Sequence, residues 1–283
     1  MRYALPFVLA LIACFGLQAL ALRASGGRFT KSESNFFSSV GRIQAGTVGK
    51  PEVMLLGSSI TGRLPDRANG FEGFANMGCD GGSAVDALRA MDLGILPTAP
   101  LLVVEANTLE RELNGQSSEV AAAMEGGWFW VGKKVPAFSA YARPAAFFYS
   151  ILLARRTGDY GDPASGEDLK VSSSPMPLER NLAMQLSNKE AALKEELVAI
   201  TRRLKERGCG VVFAWLPPAR GEAKIPDWIH ALIAESSSLW WDLGNEADPS
   251  LVTLTDSVHM AAPSAARTVI SIRKGLTTTK IKN

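Results

Sequence analysis

Short apolar runs and longer amphipathic stretches alternate along most of the chain. Four continuous apolar runs are bounded by Gly, Pro, Ser or charged residues, which is typical of buried strands; they cover residues 53–56, 101–104, 210–216 and 239–243. Apolar residues at helical spacing occur after Gly82 and over residues 178–207, 226–236 and 263–276. Strands that alternate with helices predict a mainly parallel sheet covered by helices on both faces. The fold class predicted from this pattern is therefore α/β.

The first 25 residues form a separate unit. The stretch from Tyr3 to Leu22 carries no charge, and about 20 apolar residues are enough to span a bilayer as one helix. Ala19-Leu20-Ala21 also resembles a signal-peptidase site, so residues 1–25 are interpreted either as an uncleaved signal anchor or as a cleaved signal peptide. A lipoprotein signal that ends at Cys14 is a third interpretation, although the apolar run continues past that residue.

All three interpretations of the N-terminal segment predict export. An uncleaved segment would anchor the chain in the inner membrane, with the domain on the periplasmic or extracellular side. A cleaved segment would make the protein secreted. The predicted location is therefore the cell envelope.

Two further segments depart from the alternation of strands and helices. Residues 26–50 are rich in Ser and Gly, which predicts a linker between the membrane and a domain assigned to residues 51–283. Residues 113–177 are an insertion in that domain, with aromatic runs at 128–130 and 147–149 and two basic pairs. The insertion is interpreted as a cap over an active site or a lipid-contacting surface, or else as a helical hairpin packed on the main core.

The charge balance and the spacing of the cysteines argue against nucleic-acid binding and against a metal site. Lys and Arg number 30 against 28 Asp and Glu, so the chain lacks the strong positive field that would draw it to nucleic acid. The three cysteines, Cys14, Cys79 and Cys209, lie in no C-x-x-C pair and no His/Cys cluster with metal-ligand spacing. We therefore predict no metal site, and nothing in the sequence calls for an organic cofactor.

The chain has only two histidines, which narrows the choice of a general base. A serine hydroxyl becomes a useful nucleophile when a base removes its proton, and a carboxylate fixes the tautomer of that base. His259 falls in the loop between the fourth predicted strand and the last helix, and Asp256 precedes it by one turn. His230 falls inside a predicted helix, where a packed or surface histidine is expected. His259 and Asp256 are therefore predicted to be the base and its carboxylate.

Four short motifs occur in order at or near the carboxyl ends of the predicted strands. They are Gly57-Ser58-Ser59, Asn76 to Ser83, Glu105-Ala106-Asn107-Thr108, and Asp256-Ser257-Val258-His259. In this order they resemble the sequence blocks of the SGNH (GDSL-like) hydrolases. The resemblance covers Pro51 to about Leu276, apart from the insertion.

The resemblance implies a three-layer α/β/α fold of the flavodoxin-like type and a nucleophile at Ser59, activated by His259 and Asp256. It also implies an oxyanion hole built from the backbone N–H groups of Ser59 and Gly81 and the side-chain amide of Asn107. A glycine at position 81 allows the backbone to approach a substrate closely.

The motifs also depart from the family pattern at three positions. Ser58 replaces the Asp of Gly-Asp-Ser, whereas Glu105 and Thr108 replace the Gly and the second Asp of Gly-x-Asn-Asp. Because the Asp beside the nucleophile mainly orders the loop, its loss leaves the mechanism intact.

A Gly-Ser-Ser motif behind a membrane segment resembles the SGNH-like proteins that move acyl groups onto or off envelope polymers. The resemblance implies an ester hydrolase or O-acyltransferase that handles acetyl or a similar short acyl group on a polysaccharide. The membrane and a membrane protein that donates acyl groups are the implied partners. Two alternatives remain open, namely a catalytically silent SGNH-like domain that binds a glycan or a partner, and a lipase or thioesterase for longer acyl chains.

Overall fold

The chain folds around a six-stranded, mainly parallel sheet. The computed structural model describes residues 3–24, 33–114, 119–171, 174–178, 186–217 and 224–278. The strands are β1 (Val53–Gly57), β2 (Phe74–Gly78), β3 (Leu101–Glu105), β4 (Met176–Pro177), β5 (Gly210–Trp215) and β6 (Leu239–Asp242). Their order is β2-β1-β3-β5-β6-β4, and only β4 pairs antiparallel, at one edge. The α/β class predicted from the sequence is confirmed.

Helices flank the sheet on both faces. The described residues form α1 (Ala4–Ala24), α2 (Glu33–Gly46), α3 (Ser59–Gly62), α4 (Val85–Asp92), α5 (Glu119–Glu125), α6 (Gly127–Lys134), α7 (Pro144–Thr157), α8 (Asn188–Glu206), α9 (Asp227–Glu235), α10 (Leu243–Glu246) and α11 (Ala262–Thr278). Successive strand residues face opposite sides. Met54 and Leu56 pack in the core with α2, α4, α8 and α9, whereas Val53 and Leu55 pack in a second core with α3 and α11.

The four predicted strands correspond to β1, β3, β5 and β6. The predicted helix over 178–207 begins later, at Asn188, because Ser187 and Glu190 form a capping box there. The sequence does not predict β2 as a strand, since Asn76 and Gly78 give it low strand propensity. It nevertheless pairs with β1 along its full length.

The predicted linker over residues 26–50 is wrong for the part that the structure describes. α2 packs on the sheet, and Phe36, Phe37, Val40 and Ile43 are buried in the core. These side chains share one face of the helix. The Ser and Gly content of the segment concealed this amphipathic pattern. Residues 26–32 lie outside the described residues.

Replacing Phe37 with Ala tests the packing of α2. Phe37 is 2% exposed, and the Arg143 guanidinium lies 4.4 Å from the centre of its ring. We expect Phe37→Ala to lower the free energy of unfolding by about 3 to 5 kcal/mol, because it leaves a cavity in the core. The matched control Phe148→Ala, at a side chain that is 63% exposed, should change it by less than about 0.5 kcal/mol. Denaturant unfolding measures both, and equally small losses would contradict a packed α2.

The N-terminal segment is helical, as α1. Large apolar side chains between Tyr3 and Leu20 are exposed. Within the ranges that the structure describes, no helix combines the length and the apolar character needed to cross a membrane. The expected transmembrane helix therefore gains no support here.

The insertion forms helices that pack on α2. Val120, Met124, Phe129 and Ala146, from α5, α6 and α7, are buried in the same core as α2. The outer face of α7 is exposed and apolar, with Phe147, Phe148, Ile151 and Leu152 between 37% and 64% exposed. The roles of the insertion as a cap or as a lipid-contacting surface stay predictions.

Candidate active site

The sheet order brings three of the four motifs together. β1 lies between β2 and β3, so the loops that follow these strands meet at one edge of the sheet. Ser59 follows β1, Gly81 follows β2 and Asn107 follows β3. Ligands of parallel α/β sheets bind at this edge, beyond the carboxyl ends of the strands. His259, from the loop before α11, reaches the same place.

Ser59, His259 and Asp256 form a continuous chain of hydrogen bonds. The Ser59 Oγ lies 2.9 Å from His259 Nε2, and His259 Nδ1 lies 2.9 Å and 3.1 Å from the two carboxylate oxygens of Asp256. When Nδ1 carries the proton, Nε2 is free to accept the proton of the serine. These are the contacts that a serine nucleophile, its base and an orienting carboxylate require.

A tight loop holds His259 in place. An antiparallel bridge between Leu254 and Met260 closes the loop. Within it, Asp256 Oδ1 accepts the backbone N–H of Val258 at 2.8 Å and that of His259 at 2.7 Å. Asp256 therefore orients the imidazole and shapes the loop that carries it.

The same contacts set the charge of Asp256. Burial raises the pKa of this carboxyl group, but the hydrogen bonds from the His259 ring and from the backbone N–H groups of His259 and Val258 outweigh burial. The pKa is held well below its usual range. Asp256 is therefore a carboxylate at neutral pH, as a partner of imidazolium must be.

The lowered pKa of Asp256 predicts how stability depends on pH. A carboxylate whose folded pKa lies below its unfolded value of 3.8 stabilises the fold at higher pH, and this contribution is lost as the pH falls through the folded pKa. At pH 7 we expect Asp256→Asn to melt at a lower temperature than wild type. At pH 3 the difference between the two melting temperatures should be smaller. Thermal unfolding of both proteins at the two pH values measures this difference, and an equal difference at both pH values would contradict this role for Asp256.

The start of α3 leaves one backbone N–H without an acceptor. The N–H groups of Ser58 and Thr61 donate to the Glu105 carboxylate at 2.9 Å and 3.1 Å, and that of Ile60 donates to the Ser58 hydroxyl at 3.1 Å. Among the described residues, none accepts the N–H of Ser59. This N–H is therefore available to an oxyanion that forms beside Ser59 Oγ.

Gly81 presents a second backbone N–H. It lies in a turn closed by a 3.0 Å hydrogen bond from the Gly82 N–H to the Cys79 carbonyl, and its φ of +82° is a conformation that favours glycine. Gly81 is exposed, and its N–H has no acceptor within the described part of the chain. The structure thus leaves both predicted backbone donors unengaged.

Helix α2 anchors the turn that carries Gly81. Ser39 Oγ accepts the backbone N–H of Asp80 at 2.8 Å, and Arg42 donates to the Gly78 carbonyl at 2.6 Å. Arg42 also pairs with the Asp80 carboxylate at 3.4 Å. Ser39 and Arg42 carry no local signal that assigns them to the site, because residues 26–50 have the Ser and Gly content of a linker.

Asn107 is held by backbone rather than by the other site residues. Its Nδ2 donates to the Leu216 carbonyl, and its Oδ1 accepts the Leu216 N–H, both at 2.8 Å. These two bonds fix the orientation of the amide and leave one Nδ2 hydrogen for a ligand. The assignment of Asn107 to the oxyanion hole stays a prediction.

An arginine of the insertion reaches the site. Arg156, in α7, donates to the Asp256 carboxylate at 3.2 Å and to the Thr255 carbonyl at 3.3 Å. Arg156 is more than half exposed, so the pair contributes little to stability. The contact does hold the end of α7 beside the candidate active site. The basic pair Arg155-Arg156 in the sequence does not indicate this position.

A cavity of about 430 Å³ lies between α2 and α7. It borders Gly62, the last residue of α3, and its lining includes the apolar side chains of Leu64, Phe147 and Leu153. Arg42 and Tyr160 also line it. The cavity therefore lies beside the helix that begins with Ser59.

His230 lies in a helix, as the sequence predicted, and takes no part in the hydrogen bonds that join Ser59, His259 and Asp256. It belongs to α9, where its ring centre is 6.0 Å from that of Trp240, and burial lowers its pKa. No cluster of His, Cys, Asp or Glu that could hold a metal occurs among the residues that the structure describes.

No protein-family model, curated protein or solved structure matches this chain. The fold and the geometry of the site are therefore the observations from which a function can be argued.

Proposed function

We propose that the protein is a serine esterase or O-acyltransferase of the SGNH type that works through an acyl-Ser59 intermediate. One observation carries the proposal: the hydrogen-bonded chain from Ser59 Oγ through His259 to Asp256. Its position at the carboxyl edge of a parallel sheet, beside two unengaged backbone N–H groups, agrees with the proposal.

The proposed reaction has two steps. Ser59 Oγ attacks the ester carbonyl while His259 Nε2 takes its proton, and the N–H groups of Ser59 and Gly81 stabilise the oxyanion. His259 then returns the proton to the departing alcohol, which leaves an acyl-Ser59 ester. A water molecule or a sugar hydroxyl then attacks this ester while His259 takes its proton. The bond from the acyl carbon to Ser59 Oγ breaks, His259 returns the proton to Oγ, and the acyl group leaves as the free acid or as an ester of the sugar. Hydrolase and transferase differ only in that second acceptor.

The proposed substrate is an O-acyl ester, acetyl or similarly short, on a cell-envelope or extracellular polysaccharide. This follows from the resemblance of the Gly57-Ser58-Ser59 motif and the apolar N-terminal segment to envelope acyl-transfer proteins. We also propose that the N-terminal segment attaches the chain to the membrane, where a membrane protein supplies acyl groups. The proposed location is the cell envelope.

Labelling with a fluorophosphonate tests the proposal. Such probes react with serines that a neighbouring base activates. We expect the folded wild-type chain to be labelled on the peptide that contains Ser59, and Ser59→Ala to remain unlabelled. A folded wild-type protein that resists labelling would contradict the proposal and favour the catalytically silent binding domain.

The region beside α3 favours a second candidate, a lipase or thioesterase for longer acyl chains. The cavity next to Gly62 is lined in part by Leu64, Phe147 and Leu153, and α7 exposes further apolar side chains. Such surfaces suit a long acyl chain better than an acetyl group. The ratio of kcat/KM for p-nitrophenyl octanoate to that for the acetate decides between them. A ratio well above one supports the second candidate, and a ratio below one supports the first.

A further inference from the structure

Glu105 is a buried carboxylate that contacts the loop carrying the candidate nucleophile, Ser59. It ends β3, and the whole residue is 1% exposed. In the described part of the chain, it forms no salt bridge with Lys, Arg or His. A carboxylate at this depth is costly unless hydrogen-bond donors surround it.

Five donors meet this carboxylate, four of them from the loop that holds Ser59. Oε2 accepts the N–H of Ser58 at 2.9 Å, the N–H of Thr61 at 3.1 Å and the hydroxyl of Thr61 at 2.7 Å. Oε1 accepts the hydroxyl of Ser58 at 2.7 Å and that of Thr108 at 3.0 Å. The bonds therefore hold the chain both before Ser59, at Ser58, and after it, at Thr61.

The neighbouring sequence is adapted to this carboxylate. A Cβ on Gly57 would lie 2.4 Å from Glu105 Oε2 and 2.1 Å from Thr61 Oγ1. Any side chain at position 57 would therefore push the carboxylate off the loop. The bonds to Glu105 use the side chains of Ser58 and Thr61 and the small size of Gly57. The contact with His259 is made by Ser59 instead.

We propose that Glu105 is the positioning residue of the site, which fixes the Ser59 backbone so that its Oγ faces His259 and its N–H faces the substrate. The proposal rests on the proposed function and adds to it. Two of the three departures from the family pattern, Ser58 and Glu105, then compensate each other. Ser58 stands where the family has an Asp and Glu105 where it has a Gly, so the ordering carboxylate is supplied from β3 instead of from the loop.

The test begins with Glu105→Gln, which keeps the shape of the side chain but turns one oxygen into an N–H donor. With p-nitrophenyl acetate we expect kcat to fall about tenfold or more while KM changes less than about twofold, because the loop shifts and the ester still binds. The matched control is Glu110→Gln, at an exposed residue after the same strand, and should retain wild-type kcat. Wild-type kcat in Glu105→Gln would overturn the proposal.

A rescue experiment separates positioning from mere stability. In Glu105→Gly the loop loses its acceptor, and we expect kcat to fall about 100-fold. Adding Ser58→Asp should then recover at least about tenfold, because an Asp at this N-cap position can accept the N–H groups of Ile60 and Thr61 in the space that Glu105 vacates. A folded double variant no more active than folded Glu105→Gly would overturn the proposal. Where Glu105→Gly does not fold, Glu105→Gln decides alone.

Fluorophosphonate labelling keeps this proposal distinct from the proposed function. A wild-type protein that is neither labelled nor active refutes the serine-hydrolase chemistry itself. A wild-type protein that is labelled and active, beside a Glu105→Gln variant labelled at the same rate, refutes only the role of Glu105.

Discussion

Ser59→Ala is expected to abolish turnover of p-nitrophenyl acetate, with a loss in kcat of at least about 10⁴-fold. Without Oγ there is no atom to attack the carbonyl and no acyl intermediate. The backbone N–H groups of Ser59 and Gly81 remain in the variant, so a small residual rate over water is consistent with the account. Steady-state kinetics of the purified chain measures the loss.

The matched control for this variant is Ser150→Ala. Ser150 is an exposed serine of α7 whose hydroxyl, within the described part of the chain, donates only to the Phe147 carbonyl one turn back. It should retain wild-type kcat. Circular dichroism and thermal melts should show that Ser59→Ala remains folded, since Ala is accommodated at the first position of a short helix. A folded Ser59→Ala with unchanged kcat would contradict the assignment of the nucleophile.

His259→Ala is expected to lower kcat/KM by at least about 10³-fold, because it removes the one side chain that, among the described residues, can accept the proton of Ser59 Oγ. The chain has one other histidine, so the comparison with His230→Ala tests which of the two histidines is the base. His230→Ala should lose some stability, as its ring packs near Trp240, but it should retain activity.

Two results would contradict the assignment of His259 as the base. If His230→Ala lost activity while remaining folded, or if His259→Ala kept it, the base would be misassigned. Kinetics for both variants at pH 7, with melting temperatures measured in parallel, separates a loss of chemistry from a loss of structure.

The main strands and the motif order could be predicted from the sequence. Parallel strands are buried on both faces, so β1, β3, β5 and β6 appear as continuous apolar runs. The pairing of His259 with Asp256 was predictable because both lie in one turn of the chain. Their approach to Ser59, 200 residues away, depended on the sheet order, which periodicity does not specify.

Three parts of the site were beyond sequence reasoning for different physical reasons. α2 was hidden because its Ser and Gly residues outweighed the spacing of Phe36, Val40 and Ile43. Glu105 was visible only as a departure from a motif, since five bonds to a buried carboxylate arise from tertiary contacts. The bond from Arg156 to Asp256 links an insertion to the site and leaves no local pattern.

The most direct test of the central claim is to trap the acyl group on the protein. The wild-type chain is mixed with p-nitrophenyl acetate, quenched in acid within the first turnovers and analysed by peptide mass spectrometry. We expect an acetyl group on Ser59 and on no other serine, and none at this peptide in Ser59→Ala. Turnover without acetylated Ser59, or an acetyl group that accumulates on a different residue, would contradict the account.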